Sequence, residues 1–103
     1  MDAHALKLST LATVTADKAF VVVRGDRITN IRDLANCIES LTDSQFSHHV
    51  HAAKNDSDWS HWTRDVLKNT NLANDMNLTV NLRDKKHLVK TIRDHLVWLE
   101  SVR

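Results

Sequence analysis

One glycine, one cysteine, no proline and no tyrosine occur in the 103 residues of this chain, and each scarcity removes a class of function. A glycine-rich phosphate loop or dinucleotide fingerprint needs several glycines where backbone must approach a ligand closely. A Gly-x-Ser-x-Gly nucleophile elbow needs two. The lone Cys37 permits no intramolecular disulfide and fits a reducing compartment. Lack of proline favours helices without kinks. The longest uninterrupted apolar run, Ala19 to Val23, is the length of a strand, against the roughly 20 residues of a membrane span. Net charge is +1 with acids and bases interspersed, which argues against a strongly basic nucleic-acid binder while leaving room for a local patch. The stretch Met1 to Leu11 carries Asp2 and Lys7 and lacks a basic-then-apolar layout, so the expected location is cytoplasmic, with no membrane association.

What is present reads as one domain, residues 1–103, mainly α: a compact bundle of about five helices with one short N-terminal β-hairpin. Residues 1–16 form a helix or arm, with Leu8, Leu11 and Val14 at helical spacing. Residues 19–29 read as a hairpin, a β-branched run meeting Gly25-Asp26, because Gly25 takes positive φ without steric cost. Residues 30–76 form a helical core. Asn30 caps a helix whose Ile31, Leu34, Ile38 and Leu41 share one face. Thr42 or Asp43 caps a second helix from about Ser44 to Lys54. The stretch Asn55 to Asp58 breaks it and caps a third, which places Trp59, Trp62 and Val66 on one side. Leu72 to Met76 forms a short helical turn. A long helix over residues 82–102, capped by Asn81, is about 30 Å in length. Its Val89, Ile92, Leu96 and Leu99 make one apolar stripe, and Thr91, His95, Trp98 and Val102 make a second.

The order Ala19-Phe20, Gly25, Ile28, Leu34-Ala35, Phe46, His49-Val50, Asn55-Asp56, Trp62, Asp65-Val66-Leu67 and Leu72-Ala73 resembles a small prokaryotic family known as a domain of unknown function. The resemblance covers about Leu11 to Ala73. It implies a helical fold and brings no activity with it. That family spaces its Asn-Asp closer to the Trp, so either Asp58-Trp59 or Asn55-Asp56 fills the corresponding position.

Seven histidines invite a search for chemistry. His48 and His51, three apart, could face one metal ion with Asp58 or His61, but no thiolate or His-Glu-x-x-His pattern accompanies them, and the preferred reading is a solvated segment with no metal and no cofactor. His49, Asn55, Asp56, Asp58 and Asp65 read as a structural polar clamp that fixes the angle between two helices. In that reading His49 bonds Asn55 or Asp56, and Asp65 bonds a backbone amide, Arg64 or Arg32. Ser57 and Ser60 look like helix-start residues, so no catalytic residue is assigned. Cys37 reads as a small core hydrophobe. Arg24-Gly25-Asp26 spells an adhesion tripeptide, taken here as a coincidence of the turn.

Two surfaces remain, both on the last helix. Thr91, His95, Trp98 and Val102 are the candidate interaction residues, with Trp98 either anchoring a partner or covering the hairpin. Arg83, Lys86, Lys90 and Arg93 are the candidate nucleic-acid contacts. The leading expectation is a non-enzymatic protein–protein interaction or scaffolding domain that self-associates as a homodimer through this helix. The alternative is a small nucleic-acid-associated protein.

Overall fold

A computed structural model describes residues 2–80 and 84–102. Gly25 sits at φ +108°, a backbone conformation that side chains with a Cβ rarely adopt, and it closes the first hairpin. Strands β1 (Phe20–Val21) and β2 (Arg27–Ile28) pair antiparallel with Phe20 opposite Ile28. The loop between them is tied by Val22 N–H to Asp26 O at 2.9 Å and Gly25 N–H to Val22 O at 2.7 Å. Strand alternation puts Phe20 and Val22 in the core and leaves Val21 and Val23 outside.

Ahead of the hairpin, α1 (Ala3–Thr10) is shorter than the 1–16 segment that the sequence outlines, and a 3-10 turn follows at Ala16–Lys18. Asn30 caps α2 (Ile31–Ser40) by accepting Asp33 N–H at 2.8 Å. Ile31, Leu34, Ile38 and Leu41 are all buried, the face that the spacing anticipates. Thr42 caps α3 (Asp43–His48) in a reciprocal capping box with Gln45.

Here the structure departs from the sequence reading. The helix expected to reach Lys54 stops at His48. Residues Val50–His51 (β3) instead pair with Asp56–Ser57 (β4) in a second antiparallel ladder, with a 3-10 turn between them. Asn55 closes that loop at φ +53°, a conformation asparagine tolerates better than most residues. Ser57 then caps α4 (Asp58–Asp65) in a box with Ser60, so both serines do begin a helix. Lys68, at φ +60°, turns the chain out of α4.

Helix α5 (Thr70–Val80) is longer than the expected turn at Leu72 to Met76. Helix α6 (Lys85–Glu100) follows Asp84, which is extended and whose side chain accepts Lys86 N–H at 2.9 Å; the expected start at Leu82 lies outside the described residues. Asn81 lies outside the described residues. Among the described residues there are six α-helices. Helix α6 packs on α2 and α5, and α5 packs on α4. Trp59, Leu34, Ile38, Leu67, Leu72, Met76, Leu88, Ile92 and Leu99 fill the core between them. No helix among the described residues is long and apolar enough to cross a membrane.

Candidate functional site

Of the residues assigned to the polar clamp, only His49 and Asp58 meet, and their bond joins different elements from those expected. His49 caps the C-terminus of α3 and its ring is 5% exposed. Val23 N–H donates to His49 Nε2 at 3.0 Å, so the ring hydrogen is on Nδ1, which donates to Asp58 Oδ2 at 2.9 Å. His49 thus ties the first hairpin to the start of α4, where the sequence suggested a bond across one turn to Asn55 or Asp56. Its ring packs on Trp59, with centroids 4.5 Å apart, and on Phe20 at 5.3 Å. Asp58 also bonds the exposed His51. Burial works to raise the Asp58 pKa, but hydrogen bonds from His51 and His49 outweigh it and hold the carboxyl below its usual range.

The other clamp residues go elsewhere. Asp56 pairs with His61 at 2.8 Å, and its second carboxylate oxygen is buried without a hydrogen-bond partner. Asp65 takes the Arg64 option at 2.9 Å, on the surface. Asn55 contributes its left-handed backbone. His48 and His51 no longer share a helix, which removes the spacing that suggested a metal. Among the described residues, no group of three or more His, Cys, Asp or Glu side chains is placed to hold a metal ion. Both His49 nitrogens are occupied, and none of the four described grooves is lined by His49, His51 or Asp58. Cys37 is buried, and burial pushes its thiol pKa up, consistent with a packing role.

A second buried polar hub has no counterpart in the sequence reading. Asn69 is fully buried between α4 and α5. Its Oδ1 accepts Leu72 N–H at 2.8 Å, capping α5, and this fixes the orientation of the amide. Its Nδ2 then donates to Thr10 Oγ1 of α1 at 2.8 Å and to His95 Nε2 of α6 at 2.9 Å. One amide therefore joins three helices. An Asn followed by Thr70 and Asn71 reads in sequence only as a loop breaker, because the partners are 59 and 26 positions away.

His95 links this hub to the outer surface. Burial lowers its pKa from the ordinary 6.5, with Asp75 acting weakly in the opposite direction. In the unfolded chain the imidazole takes up a proton near pH 6.5, and in the folded chain only at lower pH. Below about pH 6.5 the unfolded state binds more protons, so stability falls as the pH drops towards the folded value and is fully present above 6.5. We expect the urea midpoint to decline between pH 7.5 and 5.5, and the His95→Gln variant to lose part of that decline. An identical pH slope in the variant would refute the assignment.

The two flanks of α6 carry the remaining candidates. On the α5 side, Trp98 is 49% exposed and its ring lies 5.4 Å from that of His95. His95 also lines a shallow groove of about 440 Å³, together with Asp75, Leu78, Thr91 and Asp94. Leu78 is 72% exposed, an apolar residue that the sequence reading passed over. Val102 is half-buried, and its carbonyl accepts Lys7 Nζ at 2.8 Å. Trp59 and Trp62 are buried, so Trp98 is the one exposed tryptophan.

On the α2 side, Lys90 pairs with Asp94 at 2.6 Å, and Arg93 pairs with Glu39 at 2.9 Å and Asn36 at 2.9 Å. Lys86 is exposed, and no side-chain partner is seen for it among the described residues. Arg83 lies outside the described residues.

Compared with known proteins, the chain matches no family model, no curated protein and no solved structure. The resemblance over Leu11 to Ala73 therefore rests on those residues alone.

Proposed function

We propose that this chain is a non-enzymatic protein–protein interaction domain that self-associates through the α5 side of α6. The observation that carries the reading is the pairing of a half-exposed Trp98 with an adjoining groove lined by Leu78, Thr91 and His95. His95 links anchor and receptor, since its ring meets Trp98 and it lines the groove. A two-fold axis can then seat each Trp98 beside the other copy's groove, the self-complementary arrangement of an isologous contact. Tryptophan is also the residue most enriched among interface anchors.

The magnitudes point to a modest affinity. The exposed half of Trp98 is on the order of 100 Å², about 2.5 kcal/mol per copy at roughly 25 cal/mol per Å². Leu78 adds a similar amount. Association costs about 4–15 kcal/mol in lost freedom, so the roughly 10 kcal/mol from both copies leaves at most about 6 kcal/mol, a dimer in the tens of micromolar at its tightest. The nucleic-acid reading draws less support, because Lys90 and Arg93 are each committed to a carboxylate.

Sedimentation equilibrium tests the proposal. At tens of micromolar, the weight-average mass should rise towards twice that of the monomer, and Trp98 emission should shift to the blue. Trp98→Lys and Leu78→Lys, both surface changes, should restore the monomer. A strict monomer up to about 0.5 mM, well above the tens of micromolar expected here, would end the proposal.

A further inference from the structure

The Asn69 hub ends at a residue of the Trp98 surface. His95 Nε2 accepts from Asn69 Nδ2 at 2.9 Å, the His95 ring lies 5.4 Å from that of Trp98, and His95 lines the groove that Leu78 also lines. We infer that His95 is an acid-operated latch: when its ring takes up a proton, it leaves the hub and turns out into that groove. The consequence, that acid weakens the binding of a second copy's Trp98, rests on the self-association proposed above; the latch itself does not.

Hydrogen-bond roles carry the argument. Asn69 Oδ1 is committed to Leu72 N–H, so Nδ2 faces the imidazole. Both hydrogens of Nδ2 are used, one on Thr10 Oγ1 and one on His95 Nε2. His95 Nε2 is therefore an unprotonated acceptor, with the ring hydrogen on Nδ1. A protonated imidazole carries a donor on both nitrogens and meets Asn69 donor to donor. Turning the amide over only moves the conflict, since its NH2 group then faces Leu72 N–H. The amide is fully buried and has no water to turn to, whereas His95 is half-buried at the edge of a groove of about 440 Å³. The ring is the member that moves.

The groove is suited to receive it. Asp75 of α5 and Asp94 of α6 both line it. Asp94 is paired with Lys90 at 2.6 Å, while the charge of Asp75 favours a proton on the imidazole. The neighbouring cations are directed elsewhere. On α1, Thr10 meets the ring only through Asn69, and Lys7 donates to the Val102 carbonyl. Lys68, beside Asn69, lines a separate groove with Leu6, Thr70 and Asn71. Burial at the hub disfavours the imidazolium, and the groove offers it water and a carboxylate, so protonation and exit go together. Turned out, the charged ring takes up space in the groove and would lose its water beneath a second copy's Trp98.

NMR of the histidine and asparagine side chains, on the parent chain and on Trp98→Ala, follows the latch from about pH 7.5 to 5, the range in which an imidazole titrates. At the upper end the ring hydrogen is expected on Nδ1, with the ring protons close to the Asn69 amide. On acidification, with the chain still folded, those contacts should give way to contacts with Leu78. Sedimentation equilibrium of the parent over the same range should show the association constant down about fourfold at the pH where half the rings have left, because both copies of a dimer must hold theirs in. In His95→Gln the association constant, whatever its size, should not change across that range. A protonated ring that stays against Asn69, or a chain that unfolds before the ring leaves, would overturn the latch. An association constant that falls as steeply in His95→Gln would overturn its control of the surface. A parent chain that is a strict monomer at every pH would end the self-association reading, and the position of the protonated ring would still decide the latch.

Discussion

The Asn69→Leu variant is expected to unfold with about 4 kcal/mol less stability than the parent chain, the largest effect of any polar substitution considered. Three losses add. The α5 cap disappears, worth about 1 kcal/mol at a typical N-terminus. Thr10 is fully buried and His95 half-buried, and both lose their donor, at about 1–3 kcal/mol for each unsatisfied buried group. The isobutyl group is close in size to the amide, so little of the cost comes from an empty cavity. Urea denaturation followed by tryptophan emission measures it. Asn69→Asp separates the terms, because the carboxylate keeps the cap oxygen facing Leu72 and removes both donors. It also places a negative charge beside His95, which should raise the pKa of that imidazole and flatten or reverse the loss of stability below pH 6.5. A loss under about 1 kcal/mol in Asn69→Leu, the scale of one cap, would show that the hub does not hold the helices together.

Removing the His49 ring should cost nearly as much, about 3–4 kcal/mol for His49→Ala. The ring fills space between Phe20 and Trp59, so its loss leaves a cavity against two aromatic faces. It also orphans Val23 N–H and one oxygen of Asp58. His49→Phe refills the volume without restoring either bond and should recover only part of the stability. The difference between the two variants therefore isolates the hydrogen bonds from the packing. If His49→Phe were as stable as the parent, the clamp would be packing alone. Neither variant should alter the Trp98 surface, so self-association measured on the folded fraction provides an internal control.

How much of this was legible from the residues alone differs from element to element. Asn30 with Asp33, and Thr42 or Asp43, announce helix starts because a cap is a local hydrogen bond about three residues long, and the structure gives the second cap to Thr42. The α2 face is legible because four apolar positions at helical spacing can all be buried only by a helix. The Gly25 turn is legible because one residue in the chain takes that φ without cost. The β3–β4 ladder was not legible. His48 to Lys54 has no strand alternation and could continue a helix, and what stops it is the pairing of His51 with Asp56 and the capture of the His49 ring by Val23, 26 positions away.

The candidate surfaces divide in the same way. Trp98, His95 and Thr91 were legible as a second stripe on the last helix, since periodicity assigns them a common flank. Periodicity does not say which flank a neighbour covers. Leu78 joins the groove because α5 continues past Met76 and lies beside α6. The basic stripe shows the converse. Sequence spacing aligns Lys86, Lys90 and Arg93, and only the packing of α2 brings Glu39 and Asn36 onto Arg93.

By itself the sequence determined that this chain would be mainly helical with a hairpin closed at Gly25, because those features follow from local sterics, capping and the period of apolar residues. The tertiary structure alone decided that Asn69 would join three helices, that His49 would tie the first hairpin to the start of α4, and that Leu78 of α5 would lie beside His95 of α6. Those outcomes depend on groups far apart in the chain, whose meeting is set by packing, and no local pattern records it.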